Sequence, residues 1–416
     1  MSDENIGPEA EGPAEEEGIV AEPASDEPDR RIWARITGAD SDWRSQLLVP
    51  VLAVFTALVI GAIIIAVSDV DLLGMWGDDA GEAFRQTFTR IGDAYGGLFA
   101  GAFGSVRGIS ETLTWATPLI LAGLSVAIGF RAGLFNIGAE GQMLMGGMLA
   151  LVVGFQFNVT IWLHLPLAIL GGFVGGAIWG GIPGWLRAKT GAHEVITTIM
   201  FNWIAIRFVD YALKATFIQR EGRPDRISKD VLESARLPKL LSWVDPQYRL
   251  NAGIIVALLA AWGVYWLLFK STVGFEFRAV GANPDGAKYA GMNVTRAYVL
   301  VMAVAGGLGG LAGSTQILGV LGNATPGFSA NLGFDAIALA LLGRSHPFGV
   351  VLAGVLFGAL RAGGQQMQVA SDVGIDLILV IQALIVVFIA APELIRAIFR
   401  VRAVKAAEQI TKGWAT

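Results

Sequence analysis

Long apolar runs separated by polar loops dominate the pattern of the chain. A helix needs about 20 mostly apolar residues to cross the hydrocarbon core of a membrane, which is about 30 Å thick. Nine runs approach this length and predict membrane-spanning helices. They cover residues 47–67, 113–130, 142–158, 163–184, 195–213, 252–269, 298–318, 347–363 and 374–392.

The positions of Lys and Arg predict which side of the membrane each loop faces, because short cytoplasmic loops carry an excess of them. Basic residues precede the first run, occupy the loops at 185–194 and 270–297, and recur after the last run. With a cytoplasmic N-terminus, the C-terminal basic group is also cytoplasmic only if the number of crossings is even. The weaker apolar segment 332–343 supplies a tenth crossing. We therefore predict an all-α polytopic membrane protein with about ten transmembrane helices and both termini cytoplasmic.

Three further segments complete the predicted organisation around a transmembrane domain at 46–395. In this orientation residues 68–112, which have the spacing of interfacial helices, and the polar loop 214–250 are extracytoplasmic. The long loop exceeds the usual length of a connector, which favours a function or a partner contact. Residues 396–416 form a basic amphipathic stretch, and we predict a cytoplasmic helix along the anionic inner leaflet, in contact with membrane lipid.

Composition separates the chain into two unlike parts. It is 54% hydrophobic and 16% charged, with 54 glycines, which is typical of a membrane protein. The formal net charge is −5, but residues 1–29 hold eleven acidic residues and no Lys or Arg, whereas the rest holds 30 basic and 24 acidic residues. We predict a disordered acidic tail with a basic juxtamembrane stretch over 1–45. The acidity gives no reason to expect a nucleic-acid partner.

Several kinds of chemistry are excluded by the residues present. The chain has no cysteine and three histidines, which excludes disulfides, thiol catalysis and any usual zinc site. No G-x-x-x-x-G-K-[ST] phosphate loop occurs, so the chain does not hydrolyse ATP through a Walker site. We predict no catalytic residue, cofactor or metal site.

A glycine-rich polar interruption lies between the second and third apolar runs. Residues 129–147 read GFRAGLFNIGAEGQMLMGG, and polar groups at membrane depth are costly. Asn136 is a candidate N-cap for the next helix, with Glu140 one turn further on the same face. Two interpretations remain open: a broken helix whose polar groups line a cavity, or a tight capped turn. The candidate pathway residues, chosen for polarity at membrane depth, are Asn136, Glu140, Gln142, Thr197, Thr198 and Asn202.

A second motif predicts a short helix between two spans. In FEFRAVGANPDGAKYAGMNVTRA (275–297), Asn283 is a candidate N-cap, Pro284 suits the first helical position and Gly291 is a candidate C-terminal stop. A helix of about seven residues is marginal alone, so something must pack on it. It is either an ordinary capped loop helix or a docking element for a cytoplasmic partner.

These motifs carry a resemblance to a known family. ATPLILAGLSVAIGFRAGLFNIGAEGQ (116–142), HEVITTIMFNWIA (193–205) and RAVGANPDGAKYAGM (278–292) resemble the permease subunit of bacterial ABC importers of the branched-chain amino acid, ribose and nucleoside group. The likeness is strongest to the guanosine and nucleoside uptake branch and covers residues 85 to 395. The tail at 1–45 has no counterpart in it.

The resemblance implies a transport subunit without enzymatic activity in the bacterial plasma membrane. Its implied partners are a cytoplasmic ABC ATPase, a second permease subunit and an extracytoplasmic substrate-binding lipoprotein, and its substrate is a nucleoside or related small solute. The implied ATPase-coupling residues are Gly281, Asn283, Pro284, Ala287, Tyr289, Ala290 and Gly291. The alternatives are a permease for simple sugars or branched-chain amino acids and, from another class, an ion-coupled secondary transporter.

Overall fold

In the computed structural model, the described residues are 43–68, 70–371 and 376–399. They are mostly helical, and within these ranges no strand occurs apart from two isolated β-bridges in the region 219–251. Almost all of the predicted tail at 1–45 and of the predicted helix at 396–416 lies outside the described residues. The described residues from Val49 onward belong to one compact unit.

Fifteen α-helices are described in chain order, together with a 3-10 turn at Glu233–Ala235 and a π-helical turn at Gln316–Leu321 that continues α11. They are α1 Trp43–Ser68, α2 Val70–Asp78, α3 Ala80–Phe103, α4 Val106–Arg131, α5 Ala139–Gln156, α6 Ile161–Thr190, α7 Glu194–Ala212, α8 Gly253–Lys270, α9 Thr272–Ala282, α10 Pro284–Tyr289, α11 Val294–Thr315, α12 Leu332–Leu342, α13 Pro347–Ser371, α14 Asp376–Ala390 and α15 Pro392–Phe399.

Seven of the described helices are long and apolar enough to cross a membrane: α1, α4, α6, α7, α8, α11 with its π-helical turn, and α13. The three other predicted spans are also helical, but α5 contains Glu140 and Gln142, and α12 and α14 are shorter. The prediction of an all-α, multi-pass membrane fold is therefore confirmed. The number of crossings remains a prediction.

Helix α4 lies at the centre of the bundle. Of its apolar span, 83% is buried, against 22% for α1 and α6, and it packs against α8, α11, α12 and α13. Its buried side chains, which include Leu119, Ile120, Leu121 and Leu124, form the largest apolar cluster together with residues of those neighbours. Because this span is apolar on nearly all sides, each of its faces can pack against a neighbouring helix.

The segment 68–112 packs on the bundle more closely than interfacial spacing predicts. Helix α3 lies along α13, and a Cβ added at Gly101 would be 3.1 Å from the Gly363 Cα. Small residues at such crossings let two backbones approach. One side of α3 is therefore covered by protein along the crossing with α13.

The long polar segment 214–250 is tied to one end of the bundle. The Leu232 N–H donates to the Gly154 carbonyl at 2.9 Å, and His164 Nδ1 lies 2.8 Å from Ser234 Oγ. Arg249 Nε donates to Glu111 Oε1 at 2.9 Å, close to the start of α4. These contacts hold the segment over the ends of α4, α5 and α6.

Glycines bring α5, α6 and α11 into backbone contact. A Cβ added at Gly176 on α6 would lie 2.1 Å from the Gly306 carbonyl oxygen, and one added at Gly146 on α5 would lie 2.1 Å from the Gly310 Cα. No side chain fits at such separations. The glycines of these three helices therefore permit close helix packing.

We expect Gly176→Ala to destabilise the folded protein by about 1–3 kcal/mol, because overpacking a filled core costs that much. Gly181→Ala on the same helix is the matched control, since a Cβ there meets only the Ala303 Cβ at 3.8 Å. Thermal unfolding of both purified variants in detergent measures the difference. Equal unfolding temperatures would contradict the close approach of α6 and α11.

Candidate functional site

The predicted interruption after residue 129 is a real break between two helices. Helix α4 ends at Arg131, Gly133 has a left-handed φ of +68°, and α5 begins at Ala139. Glycine adopts this backbone conformation without steric cost. The chain over 132–138 is non-helical although it is largely buried. That its polar groups line a cavity stays a prediction.

Asn136 does not cap α5 as the sequence predicts. Gly138 occupies the N-cap position, and the Gly138 N–H donates to Asn136 Oδ1 at 3.0 Å. Asn136 therefore stabilises the turn before the helix. It also does not share a helical face with Glu140, because Asn136 precedes the first residue of α5 whereas Glu140 lies in its first turn. The N-cap prediction was wrong because Gly138 is the N-cap, and the Asn136 side chain binds the amide of Gly138 itself.

Asn136, Gln142 and Ser125 form a closed hydrogen-bond network. Gln142 Nε2 donates to Asn136 Oδ1 at 3.0 Å, Asn136 Nδ2 donates to Gln142 Oε1 at 3.1 Å, and Ser125 Oγ donates to the same oxygen at 3.0 Å. All three residues are buried. Buried polar groups that are mutually satisfied fix one arrangement, so this network ties α4, the break and α5 together.

Asn202 on α7 satisfies the start of α5 from outside. Its Oδ1 accepts from the Gly141 N–H at 2.8 Å, and its Nδ2 donates to the Ile137 carbonyl at 2.8 Å. Helix α5 has no side-chain cap at its N-cap residue, and the first N–H groups of a helix have no partner within it. Asn202 supplies a missing cap from a different helix.

Glu140 does the same for the short helix α12. Its Oε2 accepts from the Gly333 N–H at 2.9 Å, and its Oε1 accepts from the Ser329 hydroxyl. Asn331, at the N-cap position of α12, makes no side-chain cap. A carboxylate is favoured at this end because the N-terminus of a helix carries partial positive charge.

The two threonines of the prediction bond within their own helix. Thr198 Oγ1 donates to the Glu194 carbonyl at 2.7 Å, and Thr197 Oγ1 donates to the same carbonyl at 3.1 Å. Thr198 is buried and Thr197 is half-buried. The structure thus brings Asn136, Glu140, Gln142 and Asn202 to the break. Thr197 and Thr198 bond within α7, and the Thr198 Cβ would lie 3.1 Å from a Cβ added at Gly138.

Helix α12 is flanked at both ends by residues with left-handed backbone conformation. Ala330 and Asn331 precede it with φ of 50° and 60°, and Arg344 and Ser345 follow it with φ of 50° and 49°. Such conformations cost free energy outside glycine and persist only where the surroundings hold them. Here Glu140 bonds the first turn, and Arg131 Nε donates to the Ser345 carbonyl at 2.9 Å beyond the last.

The second predicted motif forms the short helix α10. Asn283 is its N-cap, with Oδ1 accepting from the Gly286 N–H at 2.9 Å, and Pro284 is the first helical residue. Gly291 follows with φ of +83°. The helix has 6 residues where the spacing predicts about seven, so the helix and both of its end signals are confirmed.

The two faces of α10 differ in what they contact. Ala287 is buried against its own chain in a cluster with Phe277, Val280 and Met302. The predicted contact of Ala287 with a partner is therefore blocked by its own chain. Tyr289, in contrast, is 95% exposed. A surface cavity of about 530 Å³ borders α10 and the turn after it, and the lining residues are Pro284, Asp285, Lys288, Gly291, Met292, Asn293, Val294 and Thr295.

The two motifs touch through glycine. A Cβ added at Gly281, one residue from the end of α9, would lie 2.5 Å from the Ala132 carbonyl carbon and 2.7 Å from the Gly133 nitrogen. The backbones of the break and of the α9–α10 region are therefore in direct contact. A side chain at either glycine would separate them.

Sequence reasoning missed a charged pair at membrane depth. Arg361 on α13 forms an ion pair with Asp335 on α12, and its Cζ lies 5.4 Å from the centroid of the Trp115 ring on α4. Arg361 is the single charged residue of Pro347–Ser371, and that signal could have identified it as the partner.

No group of three or more His, Cys, Asp or Glu residues that could hold a metal ion occurs within the described part of the chain. The arrangement is one of helix ends, polar caps and a paired charge. Such an arrangement fits transport.

Comparison with known proteins identifies the family. Residues 108–390 match the family described as branched-chain amino acid transport system / permease component. A guanosine ABC transporter permease of Bacillus subtilis is 39% identical over 353 residues, covering 85% of this chain and 95% of that protein.

Two further relatives come from other organisms. A glucose ABC transporter permease of Haloferax volcanii is 35% identical and covers 83% of this chain and 87% of its own length. A nucleoside ABC transporter permease of Lactococcus lactis is 35% identical, over 88% of this chain and 97% of that protein. No solved structure matches the chain. The resemblance drawn from the motifs is confirmed, and the chain belongs to the family of branched-chain amino acid transport system permease components.

Proposed function

We propose that this chain is the permease subunit of an ATP-driven importer that carries nucleosides. The observation that carries the proposal is the similarity, over most of the chain, to permeases described for guanosine and for nucleosides in two different organisms. The bundle supplies the physical means, since polar groups interrupt apolar helices at the break between α4 and α5 and at the start of α12.

In this proposal a separate ABC ATPase drives transport through α10. The helix is too short to be stable by itself, yet it is capped at its N-terminus, exposes Tyr289 and borders a cavity. Those features support a docking element. The proposed coupling residues are therefore Asn283, Pro284, Tyr289, Ala290 and Gly291 at the surface, with Gly281 and Ala287 holding the helix on its own chain.

A displacement of α10 would reach the break through the end of α9. Gly281 and Gly133 are in backbone contact, and the Asn136–Gln142 network fixes the break to α5. Packed interiors transmit movement because they are close to incompressible. We propose that ATP-driven motion of α10 shifts the break. We also propose that the predicted pathway residues border the solute pathway and determine its shape; they are Asn136, Glu140, Gln142, Thr197, Thr198 and Asn202.

The proposed topology has ten crossings, with 270–297 and both termini in the cytoplasm and 68–112 and 214–250 outside. Two observations support it: the basic residues of 270–297, and the attachment of 214–250 to the opposite end of α4 from Arg131. We place the chain in a bacterial plasma membrane. A second permease subunit and an extracytoplasmic substrate-binding lipoprotein complete the proposed importer.

A sugar is the second candidate substrate, because one of the relatives is described as a glucose permease at 35% identity. Its similarity equals that of the nucleoside permease from Lactococcus lactis. Sequence similarity alone does not separate the two, so uptake must be measured for both solutes.

The first test is uptake by the complete importer. We expect proteoliposomes holding this chain with its ATPase, second permease and receptor to take up radiolabelled guanosine only when ATP is supplied to the ATPase side. Glucose in the same vesicles is the comparison. Uptake of glucose without guanosine would replace the proposed substrate, and guanosine uptake driven by an ion gradient without ATP would replace the mechanism.

The second test concerns the docking face. We expect Tyr289→Ala to weaken binding of the ATPase about tenfold or more, because truncating a central aromatic at an interface typically costs about 2 kcal/mol. Tyr211→Ala is the control, since Tyr211 is 75% exposed but lies on α7. Binding of the purified ATPase to immobilised permease measures both. Unchanged affinity for Tyr289→Ala would remove α10 from the interface.

The third test concerns transmission from α10 to the break. We expect Gly281→Ala to lower uptake per ATP hydrolysed several-fold, because the methyl group separates α9 from Gly133. Gly286→Ala is the control, since a Cβ there meets only the Asn283 side chain at 3.3 Å or more. Uptake and ATP hydrolysis are measured in the same vesicles. A parallel fall of both rates in Gly281→Ala would indicate lost assembly instead.

A further inference from the structure

The cluster of Trp115, Asp335 and Arg361 holds donors that its own chain does not use. Trp115 Nε1 and Arg361 Nε are buried, and neither has a hydrogen-bond partner among the described residues. A buried donor left unpaired costs about 1–3 kcal/mol. Two such donors on neighbouring side chains need an explanation beyond the Arg361–Asp335 ion pair.

One side of the cluster is open. The side chains of Arg361 and Asp335 are 17% and 25% exposed to solvent. Gln365, one turn beyond Arg361 on α13, is exposed, and so is Phe334 beside Asp335. Charged groups and amides at membrane depth face water or protein because contact with lipid is costly. This face of α12 and α13 therefore borders an aqueous path or a partner.

Helix α13 has a contrasting face for comparison. Leu352 is nine residues before Arg361, which places it half a turn away around the helix, and it is 71% exposed. An exposed leucine on a spanning helix is suited to lipid. The polar face is thus distinct from the outer surface of the same helix.

We propose that Trp115, Phe334, Asp335 and Arg361 form a nucleobase subsite on the transport path, an inference that rests on the proposed function. A purine ring stacks on aromatic rings and on guanidinium planes. Its edge offers N–H donors to the partly exposed Asp335 carboxylate. A site built to pair these groups discriminates strongly against solutes that leave them unpaired.

The absence of cysteine from the natural sequence permits a direct test. In the complete importer, Gln365→Cys is treated with a small, charged, membrane-impermeant thiol reagent, and labelling of this chain is measured by mass spectrometry. Leu352→Cys is the matched control on the lipid-facing side of α13. We expect Gln365→Cys to react and Leu352→Cys not to react. We also expect millimolar guanosine, but not ribose, to slow the reaction at least about threefold.

Each other result would overturn the subsite. Failure of Gln365→Cys to react would show that protein covers this face, and reaction without protection by guanosine would show water access without solute binding. Equal protection by ribose would indicate a sugar subsite. Uptake of guanosine by the wild-type importer tests the proposed function separately, so protection without uptake would contradict only that function.

A second measurement separates solute contact from structural support. We expect Trp115→Leu and the double variant Asp335→Asn, Arg361→Gln to lower guanosine uptake at least about tenfold while receptor-stimulated ATP hydrolysis stays within about twofold. The double variant avoids an unpaired buried charge. Trp115→Phe, which keeps a ring, is expected to retain more uptake than Trp115→Leu, and Trp266→Leu on α8 is the control. A parallel loss of uptake and ATP hydrolysis would assign the cluster a structural role.

Discussion

Helix ends inside a membrane bundle must be satisfied by protein, because hydrocarbon offers no hydrogen bonds. Helices α5 and α12 both begin at buried residues, and neither has a side-chain cap at its own N-cap position. Asn202 bonds the first turn of α5, and Glu140, itself on that turn, bonds the first turn of α12. Side chains of α7 and α5 thereby bind the N-terminal amides of α5 and α12. Removing either side chain would leave amides unpaired at membrane depth.

This constraint also arranges the parts that transport needs. Helix α9, which leads into the exposed helix α10, contacts the break through Gly281 and Gly133. The break is tied to α5 by Asn136 and Gln142, and α5 reaches α12 through Glu140. Asp335 lies one turn into α12. A contiguous set of contacts therefore joins the proposed ATPase-docking surface to the proposed nucleobase subsite. Helix α12 is held between two backbone segments in left-handed conformation.

Local features of the functional regions followed from the residues themselves. Asn283, Pro284 and Gly291 specify the ends of α10 through short-range bonds and backbone preference, and the structure has both ends where these residues predict them. Asn136 shows the limit of such reasoning. It has the composition of an N-cap but binds the Gly138 amide and Gln142 instead, since its position relative to the helix start depends on where α4 and α7 hold the chain.

By itself, the sequence determined the membrane class, the helical segments, the break after Arg131 and the short capped helix, because hydrophobic length, glycine and capping residues act over a few residues. The tertiary structure decided that Ala287 faces its own chain, that Asn202 and Glu140 cap helices remote in sequence, and that Arg361 pairs with Asp335 over Trp115. The contacts of Asn202, Glu140 and Arg361 join residues separated by 26 to 246 positions, so no local sequence pattern predicts them. They depend on which helix faces are brought together by packing, which the glycines of α5, α6 and α11 permit but do not specify.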